Sequence, residues 1–236
     1  PQPSPKGRGS NNLQARAREA RYRLLTDWCR EYDVQDLLLA HHLDDQAETF
    51  LMRLQRGSGV DGLASMQRVS KRDGVRLLRP LLEYRKSELV AYLEERNQPW
   101  LEDPSNHNTV FTRTHMRTLV GKLETHGLPA ETLTATAMRL QRARTVLEQD
   151  TAEALAAHAR IYEEGCATLD THILRSLPEE IALRLLSYLL CVVGGRQYRH
   201  RFHQLEALFE AVTAEKGFNG RTFGGCLLQV RDGQLW

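Results

Sequence analysis

The sequence lacks the features of membrane, disulfide-rich and metal-cluster proteins. It contains no run of about 18 apolar residues, and its longest apolar segment, residues 181–193, is broken by Arg184 and Ser187, so we expect no membrane span. Its four cysteines form no C-x-x-C pair, which disfavours a zinc or iron–sulfur site and suits reduced thiols in the cytoplasm. The first residues contain neither an initiator Met nor an apolar signal core, so we expect them to be internal to a longer polypeptide.

A strong excess of either charge is also absent. The chain has 32 Lys and Arg against 30 Asp and Glu, a formal net charge of +2. This small excess does not indicate a nucleic-acid binder by bulk electrostatics, so any basic surface must be a local patch. The composition is 26% charged and 41% hydrophobic, which is typical of globular proteins and excludes collagen-like, coiled-coil and wholly disordered chains.

The first half of the chain alternates between helical and strand patterns. Apolar spacing predicts a helix from Asn11 or Asn12 to Arg30, and the short apolar run 36–40 predicts a strand buried on both faces of a parallel sheet. A helix over 42–56, a strand over 75–79 and a helix over 85–96 are expected to follow. This order predicts an open α/β layer.

Beyond about residue 123 the pattern becomes helix after helix. The expected elements are helices over 131–163, from Pro178 to Gly194 and over 202–215, then a hairpin of strands 222–230 and 234–236. We therefore expect a partial α/β domain over residues 1–123. A mainly helical domain that ends in a β-hairpin is expected over residues 124–236.

The densest group of chemically active side chains follows the predicted strand directly, in the segment A-H-H-L-D-D-Q-A-E-T at residues 40–49. Open α/β sheets bind their ligands at this kind of strand-to-helix junction. Helical spacing brings polar residues to one side: His41, Asp45, Thr49, Arg53 and Arg56, with Glu48 adjacent. The other side, Ala47, Phe50, Leu51 and Leu54, is expected to pack on the sheet.

Taken alone, this segment leaves three interpretations open. It is compatible with a solvated helix face carrying incidental ion pairs, with a metal-hydrolase site built on His and Asp, and with another catalytic site. Neighbouring motifs are more specific: A-R-E-A-R-Y at residues 17–22, R-L-Q-R-G-S-G at 53–59, R-P-L-L at 79–82, E-D-P-S-N at 102–106 and R-T-H-M-R at 113–117.

In their order and spacing these motifs resemble the bacterial tRNA(Ile)-lysidine synthetases, ATP-dependent RNA-modifying ligases of the PP-loop family. The resemblance is dense over residues 13–123 and fainter to residue 236. It implies a partial PP-loop (adenine nucleotide alpha-hydrolase-like) parallel sheet followed by a helical domain that contacts tRNA. One departure is local: many members have Arg-Asn where this chain has Arg113-Thr114, so a role for that Asn is not carried over.

The resemblance implies ligation of L-lysine to the wobble cytidine of tRNA(Ile) with a CAU anticodon, through a cytidine adenylated by ATP. Mg²⁺ would neutralise the triphosphate. The implied catalytic residues are Arg21, His41, Asp45 and Arg113, with Asp45 for the lysine ammonium or the metal and the two arginines for phosphates or the activated base. The implied substrate-binding residues are Asp44, Glu48, Arg56 and Gly57.

Several of these residues have structural alternatives. Arg21 could hold Asp36 instead of substrate, and Arg113 and Arg117, one helical turn apart, could form a solvated stripe. In the second domain Arg196, Arg199 and Arg201 form part of a basic–aromatic cluster that is equally compatible with tRNA phosphates and with an exposed helix start. The residues do not decide the oligomeric state, and a homodimer is one option.

The family's nucleotide loop, Ser-Gly-Gly-x-Asp-Ser, does not occur in these residues. We expect it to precede residue 1, and we expect the 236 residues alone to be inactive. Two alternatives remain. One is another PP-loop tRNA-modifying enzyme, a thiolase, which the lack of paired cysteines disfavours. The other is a non-catalytic RNA-binding fragment.

Overall fold

The computed structural model describes residues 8–101, 112–195, 202–214 and 217–236. A mixed α/β part is followed by a mainly helical part, which confirms the predicted fold class. The chain divides between Arg144 and Thr145 into two compact units. This division lies beyond the change of sequence pattern near residue 123, because the helix Thr112–Thr125 and the first half of the helix Ala130–His158 belong to the first unit.

The first unit contains a three-stranded sheet and several helices. Its elements are α1 (Arg8–Glu31), β1 (Asp36–Leu38), α2 (Leu43–Leu54), α3 (Val60–Leu63), β2 (Val69–Arg72), β3 (Val75–Leu78), α4 (Lys86–Glu95), α5 (Thr112–Thr125) and the first half of α6 (Ala130–His158). The strand order is β1-β3-β2. β1 and β3 are parallel, with Leu37 opposite Leu77, as the alternating pattern predicts. The expectation that β1 is buried on both faces is wrong, because Leu38 is 66% exposed.

β2 is a strand that the apolar pattern misses. It pairs antiparallel with β3 through a tight turn at Asp73 and Gly74, which both have positive φ angles, 49° and 86°. Asp-Gly is the typical sequence signal for this turn. The signal is present, but Val69 is the only strongly apolar residue of β2. The sheet is therefore mixed rather than purely parallel.

The apolar side of α2 packs mainly on other helices. Ala47, Phe50 and Leu51 join a buried cluster with residues of α5 and α6, among them Met116 and Leu133. The expectation that this side packs on the sheet is wrong for Leu54, which is 52% exposed. Burying each large apolar side chain contributes about 1.5–3 kcal/mol, so this cluster holds α2 at a fixed position.

The second unit is built around α8 (Glu179–Val193). As predicted, Pro178 precedes this helix and Gly194 follows it. Its leucines form a core with side chains from the other elements of the unit, among them Leu169, Leu174 and Leu208. Those elements are β4 (Ala159–Ile161), β5 (Ala167–Asp170), α7 (Thr171–Ser176), α9 (Phe202–Thr213), β6 (Arg221–Phe223), β7 (Cys226–Leu228), β8 (Val230–Arg231) and β9 (Gln234–Leu235).

Two predicted boundaries in this unit are wrong. The long helix ends at His158 rather than near residue 163, because β4 and β5 form a hairpin closed by Gly165 at φ 82°. The predicted strand 222–230 is interrupted by Gly224 and Gly225, both at positive φ, so two hairpins exist in place of one. β9 also pairs with β5, which completes a sheet of order β4-β5-β9-β8.

No helix within the described ranges has both the length and the apolar character needed to cross a lipid bilayer.

Candidate active site

The junction between β1 and α2 lies where the sequence predicts a ligand site. The Leu39 amide donates to the Leu78 carbonyl at 2.8 Å, which extends the pairing of β1 and β3 by one residue. Residues 39–42 then lead into α2, whose first amides carry the positive end of the helix dipole. The segment therefore lies at the carboxyl end of two parallel strands, a position typical of α/β ligand sites.

A cleft of about 240 Å³ opens beside this junction. It is lined from α1 by Arg18, Arg21, Tyr22 and Leu25, and from the end of β1 by Leu39, Ala40 and His41. The structure thus brings together two predicted catalytic residues, Arg21 and His41, that are 20 positions apart in sequence. The lining combines two guanidinium groups and an imidazole with no carboxylate, so it is suited to phosphate or to a polar base.

Tyr22 fixes one wall of this cleft. Its ring is 7% exposed, and the guanidinium groups of Arg18 and Arg72 lie 5.3 and 4.9 Å from the ring centroid. Arg72 is itself paired with Glu19 of α1. These contacts join α1 to the β2–β3 hairpin and orient Arg18 toward the cleft; sequence reasoning assigned no role to Arg18 or Arg72.

A second group of polar side chains surrounds His42 at the start of α2. Asp45 accepts a hydrogen bond from the His42 amide at 3.1 Å and lies 3.5 Å from its Nε2. Asp44 Oδ2 lies 3.3 Å from His42 Nδ1. Burial is the largest influence and lowers the pKa of His42, but the hydrogen bond to Asp44 and the charges of Asp45, Asp44 and Glu48 outweigh it, so the pKa is raised. His42 therefore links the two predicted aspartates.

Asp44 also joins two helices. Its Oδ2 accepts a hydrogen bond from the Lys86 amide at 2.8 Å, at the first residue of α4. The hydrogen bond from His42, followed by that from Lys86, outweighs the effect of burial and lowers the pKa of Asp44 to about 2. Arg85, just before α4, pairs with Glu131 and Glu124, so the start of α4 is held from several directions. Asp44 thus joins the start of α2 to the start of α4.

Glu48 is a buried acid that contacts a neighbouring helix. Its side chain is 1% exposed, and Oε1 accepts a hydrogen bond from Nε of Arg117 in α5 at 2.9 Å. The sequence pattern leaves open whether Arg117 is only part of a solvated stripe. In the structure it pairs with a buried carboxylate. The ion pair joins α2 to α5.

The loop that follows α2 is held by side chains of the same helix. Arg53 Nη1 donates to the carbonyls of Gly62 and Ser65 at 2.6 and 3.1 Å, and the Gln46 amide makes two hydrogen bonds of 2.8 Å with the Met66 backbone. Gly57 lies three residues beyond the end of α2 at φ 67°, and the Arg56 side chain beside it is exposed. Burial and then the positive charges of Arg144, Arg18 and Arg56 lower the pKa of Arg53, which indicates a concentration of positive charge here.

The other predicted site residues have different positions. Asp45 is half-buried one turn beyond His41 and does not line the cleft. Arg113 lies in the first turn of α5, and its side chain is outside the described part of the chain. Arg196, Arg199 and Arg201, and the E-D-P-S-N motif at 102–106, also lie outside the described residues. Arg76, and not Arg21, pairs with Asp36, at 2.6 Å.

Metal-binding groups are limited in the part of the chain that the structure describes. There, no three His, Cys, Asp or Glu side chains lie together in a way that could hold a metal ion. Mg²⁺ needs fewer protein ligands, because it is commonly held by one or two carboxylates, water and substrate phosphates. Asp45, in the first turn of α2 and four residues after the cleft residue His41, offers one such carboxylate.

The sequence of this chain is similar to those of known proteins. Residues 4–124 match the PP-loop domain family. The tRNA(Ile)-lysidine synthase of Wolbachia pipientis is 38% identical over 92% of this chain, and that of Ruegeria pomeroyi is 40% identical over 93%. The enzyme of the same name from Methylobacterium nodulans is 41% identical over 94% of this chain and 68% of its own length.

The chain therefore belongs to the PP-loop family and, within it, to the family of the tRNA(Ile)-lysidine synthases. It spans about half the length of the Wolbachia and Ruegeria relatives, 51% and 52%.

Proposed function

We propose that this chain is part of a ligase that attaches L-lysine to the wobble cytidine of tRNA(Ile) with a CAU anticodon, using ATP. The ring carbonyl oxygen of the cytidine first attacks the α-phosphorus of ATP and pyrophosphate leaves, and the lysine amine then displaces AMP from the adenylated cytidine. The observation that carries the proposal is the cleft in which Arg21 and His41 meet, within a region that matches PP-loop domains. The shared name of the relatives, tRNA(Ile)-lysidine synthase, supports lysidine formation as the reaction, since they match more than nine-tenths of the chain.

The cleft residues stabilise charge and position the base. Arg21 contacts the phosphates or the cytidine oxygen, where negative charge changes during adenylation, and a fixed guanidinium lowers that barrier. His41 donates a hydrogen bond to the cytidine or accepts a proton from the attacking amine. Arg113 performs the same kind of role as Arg21 from α5. Arg56 and Gly57 form the rim of the substrate pocket.

Asp45 is the acidic residue best suited to the lysine ammonium or to Mg²⁺, which supplies charge neutralisation at the triphosphate when bound. Asp45 is also engaged, because its Oδ2 accepts from the His42 amide and lies 3.5 Å from His42 Nε2, but a carboxylate has about four acceptor positions and both contacts involve the same oxygen. Asp44 and Glu48 are less suited, because each joins α2 to another helix, Asp44 through the Lys86 amide and Glu48 through Arg117. Both can still contribute negative potential at the amine.

The remaining parts of the proposal concern partners and location. The second unit is proposed to contact tRNA, with Arg196, Arg199 and Arg201 on phosphates. A cytoplasmic location stays a prediction, because cysteines without C-x-x-C spacing suit reduced thiols. A homodimer stays a prediction.

The test is substitution of Asp45 by Asn in the full-length enzyme. Asn retains an acceptor for the His42 amide but loses the charge, so we expect the fold to be kept and lysine transfer to fall about a hundredfold or more. The matched control is Asp150→Asn, at an exposed position on α6, which should transfer lysine normally. Near wild-type transfer by Asp45→Asn, with thermal unfolding unchanged, would remove Asp45 from the site.

A further inference from the structure

The sheet of the second unit has two faces of very different character. The strand register places Ala159, Leu169, Leu235 and Val230 on one face, directly opposite one another. Leu169 and Leu235 are 1% and 4% exposed and belong to the core, and the other two pack against it. Because side chains alternate along a strand, the neighbouring positions must lie on the outer face.

The outer face carries aromatic, amide and basic side chains. The residues whose positions alternate with the core leucines are Arg160, Tyr162, Thr168, Asp170, Gln229, Arg231, Gln234 and Trp236. The rings of Tyr162 and Trp236 lie parallel, within 9°, with their centroids 6.1 Å apart. The Tyr162 hydroxyl lies 3.5 Å from Thr168 Oγ1, and Thr168 is only 6% exposed, so the two rings cover the middle of this face.

The Trp236 ring is accessible to solvent, and two arginines lie on the same face of the sheet. Trp236 is 46% exposed, and Arg160 and Arg231 are both exposed. Asp170 also lies on this face, but its carboxylate accepts the His172 amide at 2.8 Å and so caps α7. Glu163, Glu164 and Asp232 lie in the turns at the strand ends rather than among the outward-facing strand positions.

We infer that the outer face of the sheet β4-β5-β9-β8 binds an unpaired nucleotide of the RNA substrate. A base stacks on the Trp236 ring, and the neighbouring phosphates contact Arg160 and Arg231. Exposed aromatic rings on a sheet, flanked by arginines, are a general solution for single-stranded RNA, since every base has a face that stacks and every linkage carries a negative charge. The identity of the RNA rests on the proposed function.

The test measures binding of tRNA(Ile) transcript to the full-length protein by fluorescence anisotropy at several salt concentrations. Trp236→Ala should weaken binding about tenfold, and Trp236→Phe, which keeps an aromatic face, should restore most of it. Arg160→Ala with Arg231→Ala should lower the salt slope by roughly 0.7 for each phosphate that is no longer neutralised. Trp28→Ala is the control, because Trp28 is similarly exposed, at 52%, and also contacts a tyrosine ring, that of Tyr32.

Equal affinities for Trp236→Ala, Trp28→Ala and wild type would overturn the inference. It would also be overturned if Trp236→Ala changed only the oligomeric state in sedimentation, since the face would then bind a second copy. Lysine transfer by the wild-type enzyme is measured in parallel. Its absence would refute the proposed function, whereas normal transfer with unchanged tRNA affinity of Trp236→Ala would refute the binding face alone.

Discussion

At the scale of single residues, the contact between Glu48 and Arg117 is expected to affect stability. The Glu48 carboxylate is 1% exposed, and removing one member of a buried ion pair costs more than the pair contributes. We expect Arg117→Ala to lower the free energy of unfolding by about 1–3 kcal/mol in urea titrations. Glu48→Gln in the Arg117→Ala background should recover part of this loss. A double-mutant cycle with no coupling would contradict the account.

The His42 and Asp44 pair predicts how stability varies with pH. Asp44 has its pKa lowered from 3.8 to about 2, so its contribution of about 2 kcal/mol is present above pH 4 and is lost as the pH falls toward 2. His42 has its pKa raised, so its contribution is complete below 6.5 and is lost as the pH rises through the folded-state value. The stability difference between wild type and Asp44→Asn should therefore peak near pH 5. A difference independent of pH would disprove this linkage.

At the scale of elements, the loop after α2 depends on the glycine at position 62. A Cβ there would lie 2.3 Å from Ser58 Cβ, whereas a Cβ on Gly59 meets nothing within 4 Å. We expect Gly62→Ala to lower the melting temperature by several degrees, for a cost of about 1–3 kcal/mol, and Gly59→Ala to have little effect. Ser58→Gly should rescue Gly62→Ala, because it removes both close atoms. Equal melting temperatures for the two alanine variants would show that the loop adapts freely.

The elements also show what the sequence could and could not predict. The strand at β1, the helix α2 and the boundaries of α8 were predicted because each combines a clear apolar period with a strong terminal signal. β2, β4 and β5 were missed because they are only three or four residues long and too short for a clear alternating pattern, so hairpin pairing rather than an apolar pattern defines them. Their turn signals, Asp73-Gly74 and Gly165, were visible, but the strands beside them had weak patterns.

The residues of the candidate site were predicted from their motifs, but their individual contacts were not. Motif order placed Arg21, His41, Asp44, Asp45 and Glu48 in one region, but it did not separate substrate ligands from structural contacts. That distinction depends on tertiary neighbours such as Lys86 and Arg117, which lie more than 40 residues away from the acids that they contact. Sequence patterns within one helix carry no information about such partners.

At the scale of the whole molecule, the chain has two units with separate cores, and we propose a different function for each. The first supplies the cleft and the acidic start of α2, and the second supplies the sheet face that carries Tyr162 and Trp236. The first unit includes the entire PP-loop match, residues 4–124, together with the helices that bury the apolar side of α2. We therefore expect the catalytic residues to lie in the first unit and both units to contribute to RNA affinity.

The most direct measurement is transfer of isotopically labelled lysine to a tRNA(Ile) transcript with a CAU anticodon, by the full-length enzyme with ATP and Mg²⁺. The account predicts one lysine on the wobble cytidine and one AMP released for each tRNA modified, with transfer abolished by His41→Ala and by Arg21→Ala. Transcripts with a changed wobble base should receive none. Absence of lysine from the cytidine, or normal transfer by both variants, would contradict the central claim.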